Sequence, residues 1–276
     1  MIRLFAVLAS LSLLHGVKLE AKAPAGGDKA DVQIESAIDL EVRIQDSSDK
    51  DKPQVRTSSV LRAEKFSHIV SEASDKGSTL KVQCTSSTLQ RSGTNTPLTT
   101  EKTELDGKTF WVTRGASTTV KNDDGSAASA AAWSLGSWED FGKLLPKGEV
   151  EIGATWAVDG TNLGGLLGAG NLGDLKSTVQ GKLDAVDGDR ATLSFTGNVT
   201  GRTAEGFEVK LTLDDCKMAF DKAKGRPQSF AVKATMEAVK KITQPVADPR
   251  AHKLKEEQIG EAKIKSSKFE VTVTYR

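Results

Sequence analysis

Residues 179–213 have the sequence VQGKLDAVDGDRATLSFTGNVTGRTAEGFEVKLTL, in which apolar and polar side chains alternate. Successive side chains of a strand point to opposite faces, so this period of two predicts strands with one buried face. Two turn signals, Asp187-Gly188-Asp189 and Glu205-Gly206, divide the segment into consecutive strands. The segment is therefore predicted to be an antiparallel meander.

The same alternation continues on both sides of this segment, in residues 32–44, 66–73, 79–89, 150–158, 216–220, 230–238 and 269–275. The apolar parity changes across Asp214-Asp215, which predicts a bulge or sharp bend there. Residues 45–53 are predicted to be a loop and residues 245–268 a charged connection. Because no strand alternates with a long helix, the predicted fold class is mainly β, a large antiparallel meander or half-barrel-like twisted sheet.

One short helix is predicted near residues 137–145. Ser137 provides an N-cap, and Pro146 ends the run. Trp138, Phe141 and Leu145 would share one face, which we expect to pack on the sheet near Trp156.

The first residues are typical of an export signal. Arg3 precedes an apolar run from Leu4 to Leu14, which is too short to span a bilayer. Small residues allow cleavage after Gly16, Ala21 or Ala23. The sequence therefore predicts a periplasmic or extracellular protein.

The predicted organisation has three parts: a signal peptide at 1–23 with an uncertain end, a linker at 24–31, and a single antiparallel β domain at 32–276. No later segment has eighteen uninterrupted apolar residues, so we do not expect an integral membrane protein after signal cleavage. The 38 basic residues nearly balance the 37 acidic ones. Nucleic acid is therefore not an expected partner.

Leu145-Pro146, Val150, Gly153 and Trp156 form the pattern L-P-x-x-x-V-x-x-G-x-x-W. This pattern resembles a motif of uncharacterised exported β-rich bacterial proteins, and Phe220-Asp221 with Gly225-Arg226 is similar to a later turn of theirs. The resemblance covers roughly residues 135–235 and departs at Ala154, where an acidic residue is usual. It implies an exported β fold and no particular activity.

Gly168-Ala169-Gly170-Asn171-Leu172-Gly173 matches the G-x-G-x-x-G fingerprint of dinucleotide-binding folds. That fingerprint requires a strand before it and a helix after it, whereas Gly-rich residues precede this one and a strand pattern follows. We interpret the segment as a Gly-Leu loop between strands and predict no cofactor. Its leucines, which could cover an apolar cleft, are Leu163, Leu166, Leu167 and Leu172.

His68 is the leading candidate for acid–base chemistry, since it shares the parity of Phe66 and Val70. A hydrogen-bonded core or rim histidine is the more frequent role of such a residue. No G-x-S-x-G elbow accompanies it, and the carboxylates are scattered in turns and on polar faces. Beyond the predicted signal the only histidines are His68 and His252, so an all-histidine zinc triad is excluded. We predict no catalytic and no metal-binding residues.

Cys84 and Cys216 are the two cysteines of the chain, and each shares the parity of its apolar neighbours. Both thiols should therefore face the core. An exported protein allows one disulfide between them, and two buried free thiols are the alternative.

The sequence thus predicts a non-catalytic exported module that binds an unknown protein or an apolar small molecule, the latter on the concave face of a sheet. A hydrolase with a carboxylate and His68 is the alternative. A deep pocket that joins His68 to a carboxylate would favour the enzyme.

Overall fold

The computed structural model describes residues 16–22, 25–44, 54–74, 77–115, 117–129, 141–159, 172–248 and 253–276. The predicted loop at 45–53 therefore lies outside the described residues. Nearly all regular structure is β. The strands are β1 (Val17–Lys18), β2 (Lys29–Ile44), β3 (Gln54–Ser74), β4 (Gly77–Gly93), β5 (Thr96–Lys102), β6 (Thr109–Arg114), β7 (Thr118–Asn122), β8 (Glu149–Val150), β9 (Thr155–Ala157), β10 (Gly173–Ser177), β11 (Gln180–Asp187), β12 (Arg190–Arg202), β13 (Glu208–Asp221), β14 (Arg226–Asp248) and β15 (Lys253–Tyr275).

Thirteen of the described strands form one sheet in the order β7-β6-β4-β3-β2-β15-β14-β13-β12-β11-β9, with β5 beside β4 and β10 beside β12. Every pairing is antiparallel. The sheet is open, with β7 and β9 as its outermost strands. The predicted fold class, a large antiparallel sheet, is confirmed.

Two strands, β4 and β12, change partner along their length. β4 pairs with β6 through residues 78–83 and with β5 through residues 88–93. β12 pairs with β11 up to Thr196 and with β10 from Val199 onward. Gly197 lies at the change, with a φ of +132°, and a Cβ there would lie 2.5 Å from the Thr178 carbonyl oxygen. Only glycine fits this position without a shift of the backbone.

These partner changes divide the sheet into two regions. The core half contains residues 29–36 of β2, 63–74 of β3, 226–234 of β14 and 269–275 of β15. The distal half contains residues 37–44 of β2, 54–62 of β3, 208–212 of β13, 235–248 of β14 and 253–266 of β15. Directly paired residues share a face, so the even-numbered residues of β2 mark one core-side face through both halves.

The core half buries its apolar face almost completely. Five residues in cross-strand register form one row over β12, β13, β14, β15 and β2: Phe195, Cys216, Val232, Val271 and Ile34. All five belong to the hydrophobic core. Such rows of paired apolar side chains are the units that stabilise a sheet.

The bulge predicted at Asp214-Asp215 is confirmed, because the pairing of β13 with β14 shifts between Leu213 and Asp215. The charged connection predicted for residues 245–268 is wrong. β14 extends to Asp248, which pairs with Lys253 at the start of β15, so these residues form the end of a long hairpin. Large apolar residues are few between residues 245 and 268, so the period-two signal of a strand is weak there.

The described part of the predicted helix is of a different type and ends before Leu145. A 3₁₀ helix spans Phe141–Leu144, and residues 137–140, which include Trp138, lie outside the described residues. Pro146 follows the helix and cannot continue it. Within the described residues, no helix has the length and apolar character needed to cross a bilayer.

The predicted packing of the helix residues is confirmed for Phe141 and Leu145, which are both buried. The Phe141 ring lies 5.1 Å from that of Phe230 in an edge-to-face arrangement. The indole N–H of Trp156 donates to the Leu144 carbonyl oxygen at 2.9 Å. The helix is therefore held by the sheet rather than by its own short hydrogen-bond ladder.

The segment that precedes β2 is packed onto the fold. β1 pairs with β8, and Leu19 is buried in the core. The backbone N–H of Lys22 donates to the Gly225 carbonyl oxygen at 2.8 Å. Of the three predicted cleavage positions, only the one after Gly16 retains Leu19.

Candidate functional site

His68 lies on the core-side face of β3, between the buried Phe66 and Val70, and is 2% exposed. Its ring centroid is 6.5 Å from that of Phe66, in an edge-on arrangement. These residues share parity in the sequence, and in the structure they share the core-side face of β3. His68 is a buried histidine of the core half.

A small cavity of about 60 Å³ lies against His68. Ala30, Val70, Phe141 and Tyr275 form part of its wall. This volume holds only a few water molecules. Pockets that enclose small-molecule substrates are several times larger, about 300–1,000 Å³.

Asp28 and Arg226 also line the cavity and form an ion pair. Burial alone would raise the pKa of Asp28, but hydrogen bonds from Arg226 and from the Ala25 backbone N–H together lower it. Asp28 is therefore an ionised partner of Arg226. The pair anchors the turn before β2 to the start of β14.

A buried carboxylate that sequence analysis did not single out is Glu64, on the core-side face of β3. Its Oε1 forms an ion pair with Arg62 at 2.5 Å and accepts a hydrogen bond from the Ser87 hydroxyl at 2.9 Å. The Ser87 and Thr103 hydroxyls lie 2.5 Å apart. The buried charge is thus compensated by an ion pair and hydrogen bonds, as buried carboxylates require.

Glu64 and His68 lie four residues apart on one strand face, about 13 Å along the strand. A direct hydrogen bond between them is excluded by this spacing. Within the parts of the chain that the structure describes, no three His, Cys, Asp or Glu side chains form a group suited to a metal ion.

Cys84 and Cys216 both face the core, as predicted, and both are free thiols. The predicted disulfide is not formed. Cys84 is on β4 and pairs with Phe66, whereas Cys216 is on β13 and pairs with Phe195, and four strands lie between β4 and β13 in the sheet. Burial raises the pKa of the Cys84 thiol to about 11 and also raises that of Cys216.

The structure describes the Gly-Leu loop from Leu172 onward. Leu163, Leu166 and Leu167 lie outside the described residues, and Leu172 is half-buried. A Cβ at Gly201 would lie 2.8 Å from the Leu172 Cβ, so these residues are in close contact. The segment is followed by β10, a strand, and not by the helix that a dinucleotide site requires.

The distal half presents an apolar surface that is only partly covered. On β2, Ala30, Val32 and Ile34 are buried, whereas Ile38, Leu40 and Val42 are half-buried and Ile44 is 40% exposed. All these residues are even-numbered and share the core-side face. We call the following set the distal apolar face: Ile38, Leu40, Val42, Ile44, Val60, Val209, Leu211, Met236, Ala238, Ile242, Ala262 and Ile264. Val209, Leu211, Ala238 and Ala262 are buried, and the other members are half-buried or exposed.

The opposite face of the distal half is charged. Glu41 is paired with Arg43 at 2.5 Å, and Glu261 with Lys263 at 3.1 Å. Charged and polar side chains of this kind are usual on the sheet face that contacts water. The two faces of the distal half therefore differ in chemistry: apolar residues adjoin one another on the core-side face, whereas the opposite face combines charged pairs with the exposed Val55 and Leu61.

The fold thus defines a mainly β protein built on one large open antiparallel sheet. No protein-family model matches the chain, and no curated protein matches it. An outer membrane channel from Pseudomonas putida F1 aligns with 93% of this chain and 96% of its own at 11% identity, with a TM-score of 0.16. OpdQ from Pseudomonas aeruginosa aligns with 90% and 98% at 8% identity, with a TM-score of 0.14. TM-scores this low do not indicate a common fold.

Proposed function

We propose that the protein is a non-catalytic exported module that binds an apolar ligand on the distal apolar face. The observation that carries this proposal is the gradient of burial along β2, from buried Val32 to the 40% exposed Ile44 on one continuous face. Contiguous exposed apolar surface on a soluble protein is frequently a binding surface. Isolated apolar residues on a polar surface would need no such explanation.

Burial of this surface provides the free energy of binding. Each square ångström of apolar surface removed from water contributes about 25 cal/mol, so a ligand that covers a few hundred square ångströms gains several kcal/mol. The ligand need not enter a closed pocket. It would lie against the strands as the 3₁₀ helix lies against the core half.

The exported address is part of the same proposal. It rests on Arg3 and the apolar run after it, and on the resemblance of the Leu145–Trp156 pattern to exported β-rich bacterial proteins. The packing of residues 17–22 on the fold is compatible with removal of the residues before them.

The alternative hydrolase has less support. His68 is buried beside a cavity that holds a few waters, and Asp28 in the cavity wall is paired with Arg226. A general base needs a substrate within hydrogen-bond reach. We therefore propose no catalytic role for His68.

Val60 and Val55 allow a matched test, because they lie on one strand and face opposite sides. Val60 pairs with Ile38 on the distal apolar face, whereas Val55 pairs with Arg43 on the charged face and is 44% exposed. The neutral dye N-phenyl-1-naphthylamine, which fluoresces in apolar surroundings, serves as the ligand. We expect Val60→Asp to weaken dye binding about tenfold or more, and Val55→Asp to leave it unchanged, since a charge placed in an apolar contact must be desolvated.

Circular dichroism and thermal melting establish that both variants are folded. If Val60→Asp does not fold, Val60→Thr with Val55→Thr as its control keeps the comparison. Equal dye affinity in the two folded variants, or an absence of dye binding by the wild type, would refute the proposed function.

A further inference from the structure

Two cations lie in one cross-strand row with apolar residues of the distal apolar face. Lys240 on β14 pairs with Ala262 on β15, Ala262 pairs with Val42 on β2, and Val42 pairs with Arg56 on β3. Because directly paired residues share a face, both cations belong to the core-side face. They flank Ala262 and Val42.

Lys240 also has an aromatic neighbour at the end of this row. Its Nζ lies 5.7 Å from the centre of the Phe207 ring, a cation–π geometry. Phe207 is half-buried. The row therefore combines apolar contact area with positive charge at its two sides.

Other charges on this face are matched by acids on the same face. Arg62 is paired with Glu64, and Arg91 with Glu101 at 3.5 Å. The acid next to Lys240 is Glu205, a turn residue. A backbone hydrogen bond, a hydrogen bond from Thr203 and the charge of Lys240 lower the pKa of the Glu205 carboxyl. Of the acids whose side chains the structure describes on the distal parts of β2, β14 and β15, Asp39, Glu41, Glu237 and Glu261 all belong to the charged face. Glu41 and Glu261 have their own cationic partners there.

We propose that the ligand of the distal apolar face is an anionic amphiphile of the fatty-acid class. Its carboxylate lies between Arg56 and Lys240, and its acyl chain runs over Val42 and Leu40 toward Ile38. This inference rests on the proposed function and adds the ligand class and the residues that recognise the head group. Guanidinium and ammonium groups form strong charge-assisted hydrogen bonds with carboxylates.

The dimensions of the face suit this ligand. From Val42 to Ile38, β2 extends about 13 Å, which accommodates an extended acyl chain of medium length. A second copy of the chain fits the charges less well. Twofold pairing of this face with itself would bring Arg56 and Lys240 of both copies into one interface, where like charges repel.

Displacement of N-phenyl-1-naphthylamine by laurate and by dodecanol tests the inference, because the two compounds share a chain and differ in charge. We expect laurate to bind the wild type about tenfold more tightly than dodecanol. The double variant Arg56→Gln/Lys240→Gln should lose this preference and retain its dodecanol affinity. Raising the ionic strength from about 0.1 M to about 1 M should weaken only laurate binding.

Arg43→Gln/Lys241→Gln is the matched control, since Arg43 and Lys241 adjoin the row in sequence, lie on the opposite face and carry the same charge. This variant should keep the preference for laurate.

Equal affinity for both compounds in the wild type, or an unchanged preference in Arg56→Gln/Lys240→Gln, overturns the inference and leaves the proposed function intact. Failure of both compounds to displace the dye, with Val60→Asp unaffected, counts against both. A dimer in native mass spectrometry that Val60→Asp dissociates and laurate does not affect would assign the face to a second copy.

Discussion

The core half and the distal half belong to the same strands but differ in what covers them. In the core half, the 3₁₀ helix at Phe141–Leu144 and the segment around Leu19 lie in one hydrophobic core with the sheet. In the distal half, the same face of β2 becomes progressively exposed toward Ile44. Alternation of apolar residues therefore specifies which side of a strand is apolar, while the degree of burial depends on elements elsewhere in the chain.

Phe141→Ala compared with Phe207→Ala should give the largest difference between the halves. Phe141 is buried against Phe230 and Tyr275, so we expect its truncation to lower the free energy of unfolding by about 3–5 kcal/mol. Phe207 is half-buried at the distal end, where truncation should cost about 1 kcal/mol. Urea denaturation of both variants measures the difference. Equal costs would mean that the two halves are equally well packed.

The reactivity of the two thiols tests how completely the sheet is buried away from the distal half, because both Cys84 and Cys216 are buried. In the native protein at pH 8 we expect almost no alkylation by iodoacetamide, since both thiols are buried and the pKa of Cys84 is raised to about 11. After denaturation without reductant, intact mass should show two alkyl groups. A mass that shows none would reveal a disulfide, and rapid labelling of the native protein would contradict the burial.

Asp28 should give the smallest effect, visible in the pH dependence of stability. Its pKa is lowered in the folded protein, so its ionised form stabilises the fold above the ordinary carboxyl pKa of about 3.9, and this contribution is lost as the pH falls through the folded pKa. Asp28→Asn should therefore reduce the urea midpoint at pH 7 more than at pH 3 or so. Asp39→Asn, at an exposed carboxylate, is the control. Equal losses at both pH values for Asp28→Asn would show that the ion pair with Arg226 does not contribute.

The sequence allowed the core half to be predicted well, because burial there is complete enough to produce a regular pattern. The meander from Ala191 to Leu213 and the bulge at Asp214-Asp215 follow from parity alone. The distal hairpin is not predicted from the sequence because residues 245–268 contain many charged residues and few large apolar ones. A stretch such as residues 253–266 therefore resembles a solvated connection, although it is paired along its length.

The candidate sites were less accessible to sequence analysis, since they depend on pairing between distant strands. Glu64 stands between Ala63 and Lys65 and resembles a surface residue, and only the approach of Ser87 and Arg62 identifies it as buried. The row that holds Arg56 and Lys240 requires the register of β3, β2, β15 and β14. A weak signal existed in the parity of Arg56, which is that of Val60 on the same strand.

The position of β15 between β2 and β14 has a consequence for the order in which the sheet can be completed. Tyr275 pairs with Ala30, and the Arg276 N–H donates to the Lys29 carbonyl oxygen at 2.9 Å. One of the two neighbours of β2 is therefore β15, which lies more than 200 residues later in the sequence. Until β15 has paired, the strands from β2 to β7 and those from β9 to β14 are separate sheets with exposed edges. Exposed edges invite pairing with other chains, and contacts between distant residues form slowly. A chain that lacks β15 would therefore contain two unjoined sheets, each with an exposed edge.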